Sequence, residues 1–278
     1  MNSEIGGQTG RLGLSATAHD VLSVLREGRA GLMADIDGTI SPLAPTPDAA
    51  SVSPSCRRHL SQLAGRLALV AIISGRSAAD SQRLVGATDL VYVGNHGLES
   101  LADSELTLYH EARPYRCQIA ALVRDLETFC AEAPGVLIED KGITASIHYR
   151  LAANPTEIRL RLLAALAGSP LAQGLWITEG KKVIEIRPPV RADKGTALCA
   201  LIDRYALQSA VYIGDDLTDL DAFNALARLR SERLFRSRSI AVVGTETPDE
   251  IRHTADHCLN GVPEVEQLLS ELVGALTP

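Results

Sequence analysis

Lysine is scarce in this chain. Of 27 Lys and Arg residues only four are lysines, Lys141, Lys181, Lys182 and Lys194, and all lie within one third of the sequence. Elsewhere positive charge is written as arginine. Each retained lysine therefore marks either a place that needs a compact ammonium rather than a planar guanidinium, or codon usage with chance clustering. Other absences exclude whole classes of function. No stretch approaches the roughly 20 uninterrupted apolar residues of a membrane-spanning helix. There is no basic run and the net charge is −7, which argues against a nucleic-acid or anionic-membrane surface. The five cysteines (Cys56, Cys117, Cys130, Cys199 and Cys258) are odd in number and scattered, with no CxxC pair. Neither a zinc site nor a disulfide framework is expected. Residues 1–20 are rich in Gly, Ser and Thr and lack the basic-then-apolar order of a secretory signal. They read as a mobile tail on a cytoplasmic protein.

What is present is ample apolar material: 278 residues, 46% hydrophobic, enough for one large domain or two smaller ones. Short apolar runs at 31–34, 67–73, 90–93, 210–213 and 240–243 end in polar, glycine-containing turns. Segments of helical spacing lie between them, at 77–85, 194–205 and 219–229. Alternating strands and helices with continuously apolar strands predict an α/β fold, a parallel sheet covered on both faces, with sites beyond the carboxyl ends of the strands. The middle differs. A helix at 115–131, strands at 136–138 and 142–149, a helix at 156–167 and strands at 175–178 and 182–186 predict a small antiparallel sheet backed by helices. With Pro114 and Pro188-Pro189 as hinges, residues 113–190 are expected to form an inserted α+β cap. The core is then 21–112 plus 191–278.

Four motifs carry chemistry. Asp35-Ile36-Asp37-Gly38-Thr39 follows an apolar strand. Two carboxylates two residues apart at a strand end can face one site, one attacking phosphorus while the other protonates the leaving oxygen. A cation is then required, because carboxylates and a phosphate dianion repel one another. Gly38 permits a sharp turn, and the amides after the nucleophile can cradle phosphate oxygens. Ser74-Gly75-Arg76 closes a second strand. There, a phosphate-binding hydroxyl and a helix cap at Ser74 or Ser77 are equally good accounts. Asp215, Asp216 and Asp219 crowd the end of a third strand, a donor set suited to Mg²⁺, although Asp216 or Thr218 could each cap a helix. Lys194 opens a helix shortly before that strand and is expected to face phosphate.

In this order and at these strand ends the motifs resemble the haloacid dehalogenase superfamily, whose core is Rossmann-like. Residues 94–99 (GNHGLE), 139–141 (EDK), 148–150 (HYR), 185–188 (EIRP) and 214–223 (GDDLTDLDAF) narrow the resemblance to the trehalose-6-phosphate phosphatase family over residues 30–270. The resemblance implies Mg²⁺-dependent hydrolysis of a sugar phosphate through an aspartyl phosphate. Asp35 would be the nucleophile and Asp37 the acid and later base. Ser74 and Lys194 would bind the transferred phosphoryl group, with Gly38, Thr39, Gly75 and Arg76 beside them. Asp35, the main-chain carbonyl of Asp37, and Asp215 would hold the metal, with Asp216 and Asp219 just outside. Glu139, Lys141 and Glu185 would read sugar hydroxyls, for which charged partners give the stronger bonds; strand-surface salt bridging is the plainer account of them. Leu220 departs from the family, which often has an acid there. His96 is read as structural. No nucleic-acid or membrane partner is expected, a monomer is favoured, and no room is expected for the synthase domain fused to some relatives. The neighbouring possibilities are sucrose, glucosylglycerol or mannosylglycerate phosphate as substrate, a phosphomannomutase-like transfer, and a silent carbohydrate-binding subunit.

Overall fold

Short apolar runs buried along their whole length, Ala30–Ala34, Leu69–Ile73, Val91–Gly94 and Ser209–Gly214, become the centre of one eight-stranded sheet. The computed structural model describes residues 15–44, 46–232, 235–244 and 247–277. In chain order the strands are β1 (Ala30–Ala34), β2 (Leu69–Ile73), β3 (Val91–Gly94), β4 (Glu99–Ala102), β5 (Glu105–Leu108), β6 (Leu137–Asp140), β7 (Ala145–His148), β8 (Trp176–Gly180), β9 (Val183–Arg187), β10 (Ser209–Gly214), β11 (Arg236–Val243) and β12 (His257–Asn260). The helices are α1 (Ala16–Leu25), α2 (Pro54–Ala64), α3 (Ala78–Val85), α4 (Arg116–Ala131), α5 (Pro155–Gly168), α6 (Lys194–Arg204), α7 (Leu220–Glu232), α8 (Asp249–Thr254) and α9 (Gly261–Leu276). None of the described helices is long and apolar enough to cross a membrane.

The large sheet runs β12-β11-β10-β1-β2-β3-β4-β5. Successive residues of its strands feed opposite cores, as the two-residue strand period demands. Leu32, Ile72 and Val211 pack with α1, α2, α3 and α9, whereas Met33, Ala71 and Tyr212 pack with α6, α7 and α8. Full burial of a side chain such as Ile72 contributes about 1.5–3 kcal/mol. Pairing is parallel from β12 to β3. The expected parallel core is there, and at its edge β4 and β5 add an antiparallel pair. Asp103 and Ser104 both take positive φ (51° and 65°) between the paired residues Ala102 and Glu105, the backbone of a tight two-residue hairpin. From β1 the chain winds towards β2 and β3; from β10 it winds the other way, towards β11 and β12. The crevice at this reversal, beyond the carboxyl ends of β1 and β10, is where α/β folds place ligands.

The second sheet, β6-β7-β9-β8, is antiparallel throughout. One face supplies Ile147, Ile184 and Ile186 to a separate core with Leu122 of α4 and Leu162 of α5. Register places Glu139, Ser146, His148, Glu185 and Arg187 on the other face. The turn between β6 and β7 seats Ile143 among Leu98, Ala112, Val190 and Ala192, joining the two sheets.

The tail expected over residues 1–20 does not reach that far. Residues 1–14 lie outside the described residues, but α1 begins at Ala16. Ser15 caps it by accepting the Ala18 N–H at 3.1 Å, and Val21, Leu22, Val24 and Leu25 are buried beneath it. Its apolar spacing sits directly behind the Gly/Ser-rich stretch, so composition alone hides it.

Candidate active site

Asp35 is the first residue past β1, its N–H donating to the Ile213 carbonyl at 2.9 Å, and Asp215 follows β10 directly. The two carboxylates thus flank the crevice because their strands are register neighbours, Ala34 opposite Ile213. Lys194, the first residue of α6, is buried between acids: its Nζ lies 2.9 Å from Asp35 Oδ2 and 2.7 Å from Asp219 Oδ1. Burial opposes its charge, yet Asp219 and Asp35 together raise its pKa above the ordinary lysine value. Burial acts the opposite way on the acids. It pushes Asp35 up to about 7 against the pull of Lys194. It pushes Asp215 up to about 8, with Asp35 and Asp219 adding repulsion.

Asp219 organises this end of β10. Its Oδ2 accepts the N–H groups of Asp215 and Asp216, each at 3.0 Å. Its Oδ1 accepts the Tyr212 hydroxyl and Lys194, each at 2.7 Å. Asp35, Asp215 and Asp219 can each bring an oxygen within 4.8 Å of the others. Three hard oxygen donors around one ammonium fit a small divalent cation. Asp219 already serves four donors, so the oxygens left to a cation are chiefly those of Asp35 and Asp215. The Asp37 carboxylate stands apart from this cluster, and Asp216 is exposed, its Oδ1 accepting the Leu217 N–H at 2.7 Å as a turn cap.

The DxDGT turn shows why each residue is there. Gly38 has φ +84°, and a Cβ on it would stand 2.0 Å from Asp215 Oδ2. Thr39 is buried and donates its hydroxyl to Asp215 Oδ1 at 2.9 Å, so it orients that acid. Arg76 grips Asp37 with two bonds, Nε to Oδ2 at 2.6 Å and Nη2 to Oδ1 at 2.8 Å, and reaches the Pro47 carbonyl at 3.1 Å. Its guanidinium is thus committed to Asp37. Ser74 is buried at the end of β2 and accepts the Arg76 N–H at 3.2 Å. Ser77, not Ser74, caps α3, accepting from Asp80 N–H at 3.0 Å.

The second sheet turns its polar face to this crevice. Lys141 Nζ lies between Glu139 (3.8 Å) and Glu185 (4.0 Å). Ser146, between those strands, donates to Glu185 at 2.9 Å, and His148 bonds Glu139 at 3.1 Å. Burial works against the Glu139 carboxylate, but His148 and Lys141 hold it below the ordinary range. Sequence reasoning missed Ser146, Thr144, Asn95, Tyr212 and Arg187. The Nε of Arg187 is buried without a partner. Alternation along 142–149 was the available signal for Ser146; nothing marked Tyr212 inside an apolar strand. His96 lies beside the turn that closes β2, its N–H donating to the Ser74 carbonyl at 3.0 Å. It is crowded against Gly75, where a Cβ would meet its Nε2 at 2.6 Å. Burial, with Lys194, Arg187 and Lys141 nearby, pushes its imidazole down to about 3 and keeps it neutral among cations.

A buried carboxylate, a buried ammonium and an acidic cluster thus meet at the strand ends, near a second sheet whose polar face carries charged side chains. The trehalose-phosphatase family model matches residues 33–256. The chain is 37% identical over 207 residues to a trehalose-phosphate phosphatase of Mycobacterium marinum, covering 71% of this chain and 52% of that protein. It is 30% identical over 255 residues to trehalose-phosphate phosphatase B of Arabidopsis thaliana, covering 86% and 65%. The chain therefore spans between about half and two thirds of these relatives' length. The C-terminal domain of a C. albicans trehalose-6-phosphate phosphatase shares the fold with a TM-score of 0.70 at 24% identity, covering 94% of this chain and 98% of that one. So does a haloacid dehalogenase-like hydrolase of Bacteroides thetaiotaomicron, with a TM-score of 0.62 at 12% identity and coverage of 88% and 100%. On the extent of the family match, this chain belongs to the trehalose-phosphatase family.

Proposed function

We propose that the chain hydrolyses trehalose 6-phosphate to trehalose and phosphate through a phosphoryl group carried on Asp35. The observation that carries this reading is the meeting of Asp35, Lys194 and Asp215 at the ends of β1 and β10, opposite a cap face bearing Glu139, Lys141 and Glu185. Asp35 and Asp215, with the main-chain carbonyl of Asp37, would hold Mg²⁺, with Asp219 and the exposed Asp216 behind them. When bound, Mg²⁺ supplies positive charge that lowers the repulsion between Asp35 and the phosphate dianion.

The chain's own groups then divide the work. An Asp35 oxygen attacks phosphorus, the bond from phosphorus to the sugar oxygen breaks, and that oxygen takes the proton from Asp37. A water next gives its proton to Asp37 as its oxygen attacks phosphorus, the bond to Asp35 breaks, and phosphate leaves. Lys194 and Ser74 would hold phosphoryl oxygens with the Asp37 amide; the Gly38 and Thr39 amides, expected to join that cradle, instead donate to the Ser41 and Ile36 carbonyls and hold the turn's shape. Arg76 fixes the Asp37 carboxylate by its two-point grip until the ester arrives. Glu139, Lys141 and Glu185 exchange their mutual contacts for sugar hydroxyls, which water no longer serves once the cap is closed.

Exhaustive chelation is expected to abolish phosphate release, and Mg²⁺ to restore it, with Mn²⁺ or Co²⁺ as partial substitutes. Mg²⁺ should also raise the thermal unfolding midpoint, since it binds only the folded cluster. Full activity after chelation would refute the reading.

A further inference from the structure

Asn95 does something that the chemistry above leaves unexplained. It is buried, and both it and His96 take left-handed backbone angles, φ 52° and 55°. Asn tolerates that region better than most residues, but two such residues in succession are held only where their surroundings over-determine them. The backbone of the pair is bonded to the phosphate loop: Asn95 N–H donates to the Arg76 carbonyl at 2.8 Å, and His96 N–H to the Ser74 carbonyl at 3.0 Å. The Asn95 side chain reaches the other way. Its Nδ2 donates to the Lys141 carbonyl at 3.2 Å, and its Oδ1 accepts the Thr144 hydroxyl at 2.5 Å.

Lys141 and Thr144 are the two ends of the β6–β7 turn, closed on itself by the Lys141 N–H donating to the Thr144 carbonyl at 3.0 Å. Between them Ile143 is buried against the large-sheet unit. One residue thus ties the loop expected to hold phosphate, by its main chain, to the turn that carries Lys141, by its amide. Neither tie is replaceable by apolar packing, because a lost amide would leave the Lys141 carbonyl and the Thr144 hydroxyl without their bonds. We propose that Asn95 is a positioning residue: it sets the register between the phosphate-binding loop and the sugar-reading turn, so that the two ends of one ester are gripped together. The proposal rests on the sugar-phosphatase reading above.

Two substitutions separate this role from general support. Asn95→Gly keeps the left-handed backbone without strain and deletes the amide, together with its bond to the buried Glu99 carboxylate, which Thr144→Val leaves intact. Thr144→Val keeps the shape and deletes the hydroxyl. On whichever sugar phosphate the parent turns over fastest, each is expected to lower kcat/KM by about 10-fold to 50-fold, while p-nitrophenyl phosphate, too small to span both ends, changes by less than about threefold. The double variant should lose no more than the worse single one, since both delete one connection. Amide exchange at Lys141 should quicken in both. Equal losses on the two substrates, additive losses, or no loss would overturn the proposal. A parent without preference for any sugar phosphate would instead sink the underlying reading. The tie would then stand or fall on exchange at Lys141, where unchanged protection overturns it.

Discussion

Asp35→Asn is expected to abolish turnover, by at least about 10⁴-fold, and with it any acid-stable phosphate label on the protein. An amide nitrogen or oxygen is a very poor nucleophile, and Asp219, the other carboxylate against Lys194, is already held by four donors. The fold should survive. The replacement keeps the shape of the side chain, and Lys194 keeps Asp219 at 2.7 Å. An unchanged unfolding midpoint together with lost activity would separate chemistry from stability. Asp37→Asn serves as the contrast. It loses proton transfer but leaves the nucleophile, an expected cost of about 10²-fold to 10⁴-fold on a sugar phosphate. The cost should be smaller on p-nitrophenyl phosphate, whose leaving group departs without a proton. Near-normal activity in Asp35→Asn would refute the assignment.

Lys194→Arg is expected to lose more than about 10²-fold in kcat/KM although it keeps the charge. The ammonium sits buried between two carboxylates at 2.7 and 2.9 Å. A planar guanidinium cannot occupy that space without displacing Asp35 or Asp219. Lys194→Met tests the same site through stability. Removing one partner of a buried ion cluster costs about 3–5 kcal/mol, here because Asp219 and Asp35 would face each other uncompensated. Its unfolding midpoint should fall by roughly 10 °C. An active, parent-like Lys194→Arg would mean that the scarcity of lysine reflects codon usage after all.

The central strands and the acid-bearing ends of β1 and β10 were legible because parallel, doubly covered strands are continuously apolar and their ends abruptly polar. The β4–β5 hairpin was not, since β5 is largely exposed and carries no strong alternation. Helix α1 lay hidden beside a tail-like composition. Within the site, residue types announced Asp35, Lys194 and Asp215. Spacing could not say that Arg76 would bind Asp37 or that Thr39 would bind Asp215. Both depend on which side chains meet across different strands. Asn95 illustrates the limit most sharply: its partners are 46 and 49 residues away, and only the docking of the second sheet brings them together.

The central claim joins this chemistry to one substrate, and phosphate release from a panel of sugar phosphates in Mg²⁺, for the parent and for Glu185→Gln, tests it most directly. Trehalose 6-phosphate should give the highest kcat/KM, ahead of sucrose, glucosylglycerol and mannosylglycerate phosphates and of p-nitrophenyl phosphate. Glu185→Gln should cost roughly 10-fold to 150-fold on trehalose 6-phosphate, the worth of one charge-assisted bond, and leave p-nitrophenyl phosphate nearly untouched. A different sugar phosphate at the head of the panel, or equal losses on both substrates, would contradict the account.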